Sequence, residues 1–243
     1  MAPAGPARGP VGHARQRLSR TDGPAGGRGP YGAAMDWFEG AIRDEAQLHE
    51  IYEPSSWLVQ HKTIDRLDRH CRDYLAVCGF VVLASCDARG RADVTPRGGP
   101  RGFVRVLDER TIAIPDATGN RRIDTLRNVV QTGQLGMLAL LPGRGQTLRV
   151  NGRACVSTDP RLLESLTAVG KPPRAALVMA VEEVFTHCPK AFVRSGIWDP
   201  STWPGKDEQP SPAAMLRDHV GDPALTLADA EQAMIDAVTI RLA

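Results

Sequence analysis

Two arginine-containing stretches have the residue types that bind a phosphate group. The first, Thr95–Gly99, reads Thr-Pro-Arg-Gly-Gly and follows the strand-like run Ala92–Thr95. The second, Gly119–Asn128, places a glycine, an asparagine and two arginines just before the helix-like run Ile123–Val130. The N–H groups and the dipole at a helix N-terminus favour an anion, and a guanidinium can hold two phosphate oxygens at once. Together the two stretches predict a phosphate-binding site.

Each stretch alone also has an explanation without a ligand. Asn120 or Asp124 can cap the following helix, because both residue types are common helix caps. Arginines on a protein surface usually contact only water. The prediction of a phosphate site therefore depends on the two stretches acting together.

The elements that would position these residues are mostly short strands. Apolar runs bounded by turn residues predict strands at Phe80–Ser85, Ala92–Thr95, Phe103–Leu107, Thr111–Pro115, Leu135–Leu141, Thr147–Ser157, Ala176–Phe185 and Ala191–Ser195. Short strands joined by tight turns are typical of an antiparallel barrel, because closing the sheet removes its exposed edges. The sequence therefore predicts a mainly β fold with peripheral helices.

Helices are predicted before, within and after the strands. Residues 35–79 are helical in pattern, with one buried face formed by Ile64, Leu67, Cys71, Tyr74, Leu75 and Cys78. Besides Ile123–Val130, helices are predicted at Pro160–Val169, Ala213–Val220 and Leu227–Val238, with a Pro-rich loop at 200–212. The last two helices should pack on the barrel or across a dimer. The predicted organisation is 1–34 as an extension, 35–199 as the barrel domain and 200–243 as the C-terminal segment.

Composition and charge limit the classes of function that the chain can have. The chain of 243 residues is 42% hydrophobic and 24% charged, which is ordinary for a globular protein. Its net charge is +2, but residues 1–34 contain five arginines and one aspartate, so the remainder is close to neutral. A near-neutral globular part argues against nucleic acid as a partner, because that binding neutralises many phosphates. No apolar run is long enough to span a membrane.

The first 34 residues are rich in Gly, Pro and Arg and should be disordered, because they cannot bury enough apolar surface to offset the ordering entropy. They lack the apolar stretch of a secretory signal. Met35 follows directly and begins a sequence with the hydrophobic pattern of a folded protein. Whether translation starts at Met1 or at Met35 therefore stays open.

The five cysteines have no Cys-x-x-Cys pair and no zinc spacing, so no metal is expected. We expect the thiols to be reduced and the protein to be cytoplasmic. His187 and Cys188 are adjacent, and we expect them to pack or contact a cofactor rather than form a nucleophile–base pair.

Five motifs in order resemble the bacterial branch of the pyridoxamine 5′-phosphate oxidase-like flavoproteins. They are Thr95-Pro96-Arg97-Gly98, Gly119-Asn120 with Arg122, Asp124-Thr125-Leu126, Thr147-Leu148-Arg149-Val150-Asn151-Gly152, and His187-Cys188-Pro189-Lys190-Ala191. The resemblance extends from roughly Leu48 to Trp198. It implies an FMN-binding split β-barrel, usually a homodimer with two FMN sites at the subunit interface.

The resemblance also implies which residues bind FMN. Arg97, Asn120 and Arg122 would line the phosphate or ribityl chain, with a hydroxyl from Thr125. Thr147 and Arg149 alternate on one strand face and would lie at the flavin edge, where Arg149 stabilises negative charge near the reduced ring. Lys190 and Arg194, four residues apart around the last predicted strand, would reach the phosphate from the second subunit, or else form a solvated rim.

The resemblance implies an FMN-dependent oxidoreductase. Because the flavin performs the redox chemistry, such an enzyme needs no catalytic acid or base that can be recognised in the sequence. The chain ends in Ile-Arg-Leu-Ala but lacks the substrate-binding W…R-x-H pattern of the pyridoxamine phosphate oxidases, so vitamin B6 is not the expected substrate. The alternatives are a non-catalytic flavin-binding protein and the same barrel with a deazaflavin or haem, for which His187 would be the first axial ligand to test.

Overall fold

A computed structural model describes residues 40–117, 121–166 and 170–239. The chain divides into two units, residues 1–54 and 55–243. The described part of the first unit contains one helix, α1 (Glu45–Ile51), whose N-terminus is capped by the Asp44 side chain. The predicted extension at residues 1–34 lies outside the described residues.

The second unit contains seven strands and seven helices in its described part. The strands are β1 (Phe80–Cys86), β2 (Ala92–Gly98), β3 (Arg105–Asp108), β4 (Thr111–Pro115), β5 (Gln134–Leu140), β6 (Thr147–Ser157) and β7 (Ala176–His187). The helices are α2 (Trp57–His61), α3 (Arg69–Val77), α4 (Asp124–Thr132), α5 (Pro160–Ser165), α6 (Lys190–Ser195), α7 (Pro212–Val220) and α8 (Leu227–Thr239). Two 3-10 turns, Pro200–Thr202 and Lys206–Glu208, lie in the predicted Pro-rich loop.

All seven strands form one antiparallel sheet in the order β2-β1-β5-β6-β7-β4-β3. Alternation along each strand gives the sheet two faces, which we call inner and outer. The inner face carries the buried core, including Val81, Leu83, Met137, Leu148 and Val150. The mainly β, antiparallel fold with peripheral helices is therefore confirmed.

The long pairing between β6 and β7 shifts register at a bulge between Asn151 and Gly152. A Cβ on residue 152 would lie 2.0 Å from the carbonyl oxygen of Ala180, so only glycine permits this close approach of backbones.

Helices α3 and α4 pack against the sheet. The predicted buried face of α3 is confirmed for Cys71 and Leu75, and Leu67 and Cys78 are also buried just outside the helix. Ile64 instead forms a β-bridge with Val184. Helix α4 buries Val129 in the main core and ends at Gly133, which has a φ of 66° and donates its N–H to the Val129 carbonyl.

The strand predicted at Ala191–Ser195 is wrong, because this segment is helix α6. Its apolar run is short, and residues on both sides favour a helix. Pro189 occupies the N-cap position, and Gly196 follows the helix in the left-handed conformation with a φ of 62°.

The remaining helices agree with the predicted positions. Helix α5 is capped by the Asp159 side chain and ends at Ser165, with residues 167–169 outside the described part. Helices α7 and α8 pack against each other. No helix among the described residues is long and apolar enough to cross a bilayer.

Candidate functional site

The inner face of β2 joins the two stretches predicted to bind phosphate. Alternation places Asp93, Thr95 and Arg97 on the same face of this strand. The Thr125 hydroxyl on α4 donates to the Asp93 carboxylate at 3.0 Å. Arg97 Nη1 donates to Asp116 Oδ1 at 2.8 Å, and Asp116 directly follows β4. The fold therefore brings β2 beside the connection from β4 to α4, as the phosphate prediction requires.

Arg97 is largely buried, with 19% of its side chain exposed. Its Nε atom is buried and has no hydrogen-bond acceptor among the described residues. A buried donor without an acceptor is costly, so a ligand oxygen that accepts from Nε would be stabilising here. Asp116 is held in place by its own N–H, which donates to the Ala175 carbonyl at 2.9 Å.

The start of α4 is the second basic part of the site. Arg121 has a φ of 62°, a left-handed conformation that is uncommon outside glycine and is found often at functional sites. Arg122 contacts the Asp124 carboxylate, which also accepts from Arg127 at 3.0 Å. The hydrogen bond from Arg122, together with the charges of Arg122 and Arg127, lowers the pKa of Asp124.

A cleft of about 320 Å³ opens beside this helix start, with Arg122 in its wall. Three aspartates and three arginines are among its lining residues, which are Asp87, Arg91, Ala92, Asp93, Arg122, Asp124, Arg127, Asn128 and Gln131. Arg91 pairs with Asp87, and Arg122 and Arg127 pair with Asp124, so an anion in the cleft would compete with these carboxylates for the guanidinium groups. Asn120, predicted to belong here, lies outside the described residues.

Thr147 and Arg149 share one face of β6, as predicted, but that face is opposite to the one carrying Arg97. Strand register pairs Arg149 with Leu138, then Leu138 with Val82 and Val82 with Pro96. Pro96 therefore lies on the outer face with Arg149, and its neighbour Arg97 lies on the inner face. Thr147 is buried and pairs with His187 on β7.

Lys190 and Arg194 form a third group on α6, and both are exposed. They lie one helical turn apart rather than around a strand. The segment that follows is anchored by Trp198, whose Nε1 donates to the Arg144 carbonyl at 3.1 Å and whose ring stacks on Phe192. Among the described residues of one chain, the predicted site residues thus lie on three parts of the fold, which are β2 with the α4 region, strand β6 and helix α6.

Sequence reasoning missed the two aspartates that connect the site. Asp93 accepts the Thr125 hydroxyl, and Asp116 pairs with Arg97. Asp93 lies within the predicted strand Ala92–Thr95, and Asp116 directly follows the predicted strand Thr111–Pro115. Only the closure of the sheet shows which side chains these two carboxylates contact.

The chain belongs to the pyridoxamine 5′-phosphate oxidase family, whose sequence profile matches residues 67–188, half of the chain. The matched segment contains β1 to β7 and therefore both stretches predicted to bind phosphate. No curated protein matches the chain.

Several solved structures resemble the chain at low identity. A putative pyridoxamine 5′-phosphate oxidase from Lactobacillus delbrueckii is 22% identical, with a TM-score of 0.41, and the match covers 50% of this chain and 95% of that one. An F420 reductase is 18% identical with a TM-score of 0.33, covering 48% and 94%. HutZ, the heme storage protein from Vibrio cholerae, is 15% identical with a TM-score of 0.34, covering 49% and 94%. Scores this low assign neither cofactor nor activity to this chain.

Proposed function

We propose that this protein is an FMN-dependent oxidoreductase whose flavin phosphate binds between β2 and the start of α4. The observation that carries the proposal is a pair of contacts, Arg97 to Asp116 and Thr125 to Asp93, by which β2, with the first predicted stretch, contacts both the residue after β4 and helix α4, which begins in the second stretch. Among the described residues the buried Nε of Arg97 has no acceptor, and it supplies a donor that suits a phosphate oxygen. Family membership supports the choice of a flavin.

The chain's own residues would bind and orient the cofactor. Arg97 and Arg122 would hold the phosphate, and Asn120 and Thr125 would contact the phosphate or ribityl chain. Thr147 and Arg149 would lie at the flavin edge. FMN, when bound, supplies the electron and hydride transfer, while the protein supplies position and electrostatic stabilisation.

The proposal includes a homodimer. Arg97 and Arg149 lie on opposite faces of the same sheet, so one chain does not present both to a single small molecule. A second copy that contributes Thr147, Arg149, Lys190 or Arg194 would complete the site. Isologous contacts of this kind give two equal sites per dimer.

Cofactor identity tests the proposal. Protein purified without added cofactor is denatured, and the released chromophore is characterised by absorption and mass; protein that releases none is titrated with FMN. We expect FMN. Release of a deazaflavin, a sharp Soret band from haem, or no binding after saturation would each overturn the assignment.

A second measurement separates an enzyme from a flavin-storage protein. The FMN-loaded protein is mixed anaerobically with NADH and, separately, with NADPH, and flavin absorption is followed. Bleaching at a rate well above that of unbound FMN supports an oxidoreductase. If neither donor reduces the bound flavin, the non-catalytic flavin-binding alternative is favoured.

A further inference from the structure

Another cleft, of about 540 Å³, opens at the end of the sheet where β1 begins and β5 ends. Its volume lies in the range of pockets that bind small molecules. The side chains that line it are four apolar residues and two arginines, namely Val77, Phe80, Leu141, Pro142, Arg101 and Arg144. None of these residues is assigned to FMN. The cleft is therefore a separate candidate for ligand binding.

The two arginines of this cleft have no carboxylate to neutralise them. Within residues 40–117, 121–166 and 170–239, neither Arg101 nor Arg144 has an aspartate or glutamate oxygen at ion-pair distance. The described residues that line the cleft include no acidic one. The cleft beside α4 differs, because its arginines already pair with aspartates. Two unneutralised positive charges in the wall of one cleft give it a potential that attracts an anion.

The apolar part of the cleft is open to solvent. Val77, the last residue of α3, is 49% exposed, and Phe80, the first residue of β1, is 41% exposed. Apolar side chains of this kind are stabilised when a ligand removes them from water. A ligand that suits the cleft therefore has an apolar body as well as an acidic group.

Backbone hydrogen bonds hold both segments that carry the arginines. The loop between β2 and β3, which carries the first arginine, is joined to the start of β1, since Gly102 donates its N–H to the Cys78 carbonyl at 2.9 Å. In the turn between β5 and β6, the Arg144 N–H donates to the Leu141 carbonyl at 3.0 Å. The Arg144 carbonyl in turn accepts from Trp198 Nε1 at 3.1 Å. A ligand therefore does not have to order the walls of the cleft, which lowers the entropic cost of binding.

We propose that this cleft binds a small carboxylic acid with an apolar body. Arg101 and Arg144 attract the acidic group, and Val77 and Phe80 contact the apolar body. One ligand that fills the cleft meets both kinds of residue, because all of them line the same cavity. The site goes beyond the proposed function and does not depend on it.

Calorimetric titration of the purified full chain at low ionic strength tests the site with three probes. The acid 4-phenylbutyrate has both a charge and an apolar body, the alcohol 4-phenylbutan-1-ol lacks the charge, and acetate lacks the apolar body. We expect saturable binding of one 4-phenylbutyrate per chain. The alcohol should bind at least about tenfold more weakly, because it cannot form a charged hydrogen bond with an arginine, and acetate should show no saturable binding.

Substitutions in the cleft separate the contributions of charge and apolar surface. Arg101→Gln and Arg144→Gln should each weaken binding of the acid, and the larger loss identifies the arginine that contacts its carboxylate. The double variant Arg101→Gln/Arg144→Gln should bind the acid no more tightly than the alcohol. Val77→Asp adds a negative charge to the cleft and should abolish binding of the acid while the arginines remain.

Two matched variants serve as controls. Arg89→Gln removes an exposed arginine from the turn between β1 and β2, as Arg144→Gln does from the turn between β5 and β6. Val220→Asp changes the last residue of α7, which is 55% exposed, as Val77→Asp changes the last residue of α3. Both controls should bind the acid like the parent. Thermal unfolding of every variant checks that the fold is intact.

Three results would overturn the site. They are the absence of saturable binding of 4-phenylbutyrate by the parent, equal binding of the acid and the alcohol, and unchanged binding by the double arginine variant. Displacement of the acid by FMN, with FMN binding lost in the double arginine variant but kept in Arg89→Gln, would assign the cleft to the cofactor and also overturn a separate site. If the acid binds while FMN does not, the acid site stands and the proposed function fails.

Discussion

The ion pair between Arg97 and Asp116 connects strands from opposite ends of the sheet. Arg97 lies on β2, the first strand in the sheet order, and Asp116 follows β4, the last strand but one. A distance of 2.8 Å between Nη1 and Oδ1 requires the sheet to curl until these strands meet. The same pair thus helps to close the barrel and places a guanidinium beside the proposed phosphate site.

The contribution of this ion pair to stability can be measured by a double-mutant cycle in cofactor-free protein. Arg97→Ala, Asp116→Ala and the double variant are unfolded with urea. Because both side chains are about four-fifths buried, we expect a coupling free energy of about 1.5–3 kcal/mol, the range for hydrogen bonds to charged groups. A coupling near zero would mean that the pair contributes nothing to closure.

The two arginines assigned to the phosphate should control FMN affinity. Arg97→Ala and Arg122→Ala are each expected to weaken binding by about 1.5–3 kcal/mol, because each removes a charged hydrogen-bond donor. Flavin fluorescence titration measures the effect.

Arg161→Ala is the matched control for Arg122. Arg161 also lies at a helix start and pairs with an aspartate two residues away, Asp159, at 3.0 Å. This variant should bind FMN like the parent. An Arg122→Ala variant that behaves like Arg161→Ala would identify Arg122 as a surface charge only.

Tyr74 should make stability fall at high pH. Its hydroxyl lies within hydrogen-bond distance of the carbonyls of Ala139 and Gln146, at 3.2 and 3.1 Å, and can donate to either, and burial raises the pKa of Tyr74 to about 12. The unfolded chain releases this proton near pH 10, so the stabilisation is complete below about pH 10 and is lost as the pH rises toward 12. Tyr74→Phe should cost about 0.5–1.5 kcal/mol at pH 8.

Urea unfolding of the parent and Tyr74→Phe at pH 8 and pH 11 tests this dependence. The difference between the two proteins should shrink at the higher pH. Comparing them removes the contribution of other groups, including Cys71. An equal difference at both pH values would show that the Tyr74 hydroxyl keeps an ordinary pKa.

Four of the five thiols should react in two classes, and Cys86 is half-buried. Burial raises the pKa of Cys71 to about 11 and also raises the pKa of Cys78, so both should remain protonated and unreactive at pH 8. Cys155 and Cys188 are exposed. A disulfide reagent followed by peptide mass analysis should label the exposed pair first and the buried pair only after unfolding. Rapid labelling of Cys71 in native protein would contradict its burial.

Local sequence patterns predicted the strands well because apolar alternation and turn residues lie within each element. The exception is Ala191–Ser195, where a run of Ala, Phe and Val suits either a short strand or a short helix. There the flanking Pro189 and Gly196 were the better guide, since they match the two ends of helix α6.

The site was harder to predict, because it depends on register and closure. That Thr147 and Arg149 share a face follows from their spacing alone. That Arg97 lies on the other face follows only from the pairing of β2, β1, β5 and β6, where a one-residue slip would reverse the result. Asp116 likewise acquires its partner Arg97 only when distant strands meet.

Because the proposed site residues are divided between two faces and an exposed helix, FMN binding should depend on a homodimer with shared sites. Arg97→Ala and the double variant Lys190→Ala/Arg194→Ala are expected to bind FMN poorly when each is purified alone. Mixing them with subunit exchange should create heterodimers that contain one intact and one doubly impaired site, restoring roughly a quarter of all sites in a random mixture.

Light scattering measures the oligomeric state, and flavin fluorescence counts the sites. Mixing chains that both carry Arg97→Ala is the control and should restore none. A monomer that binds FMN as tightly as the parent preparation, or a mixture that recovers no binding, would show that each chain holds its cofactor alone.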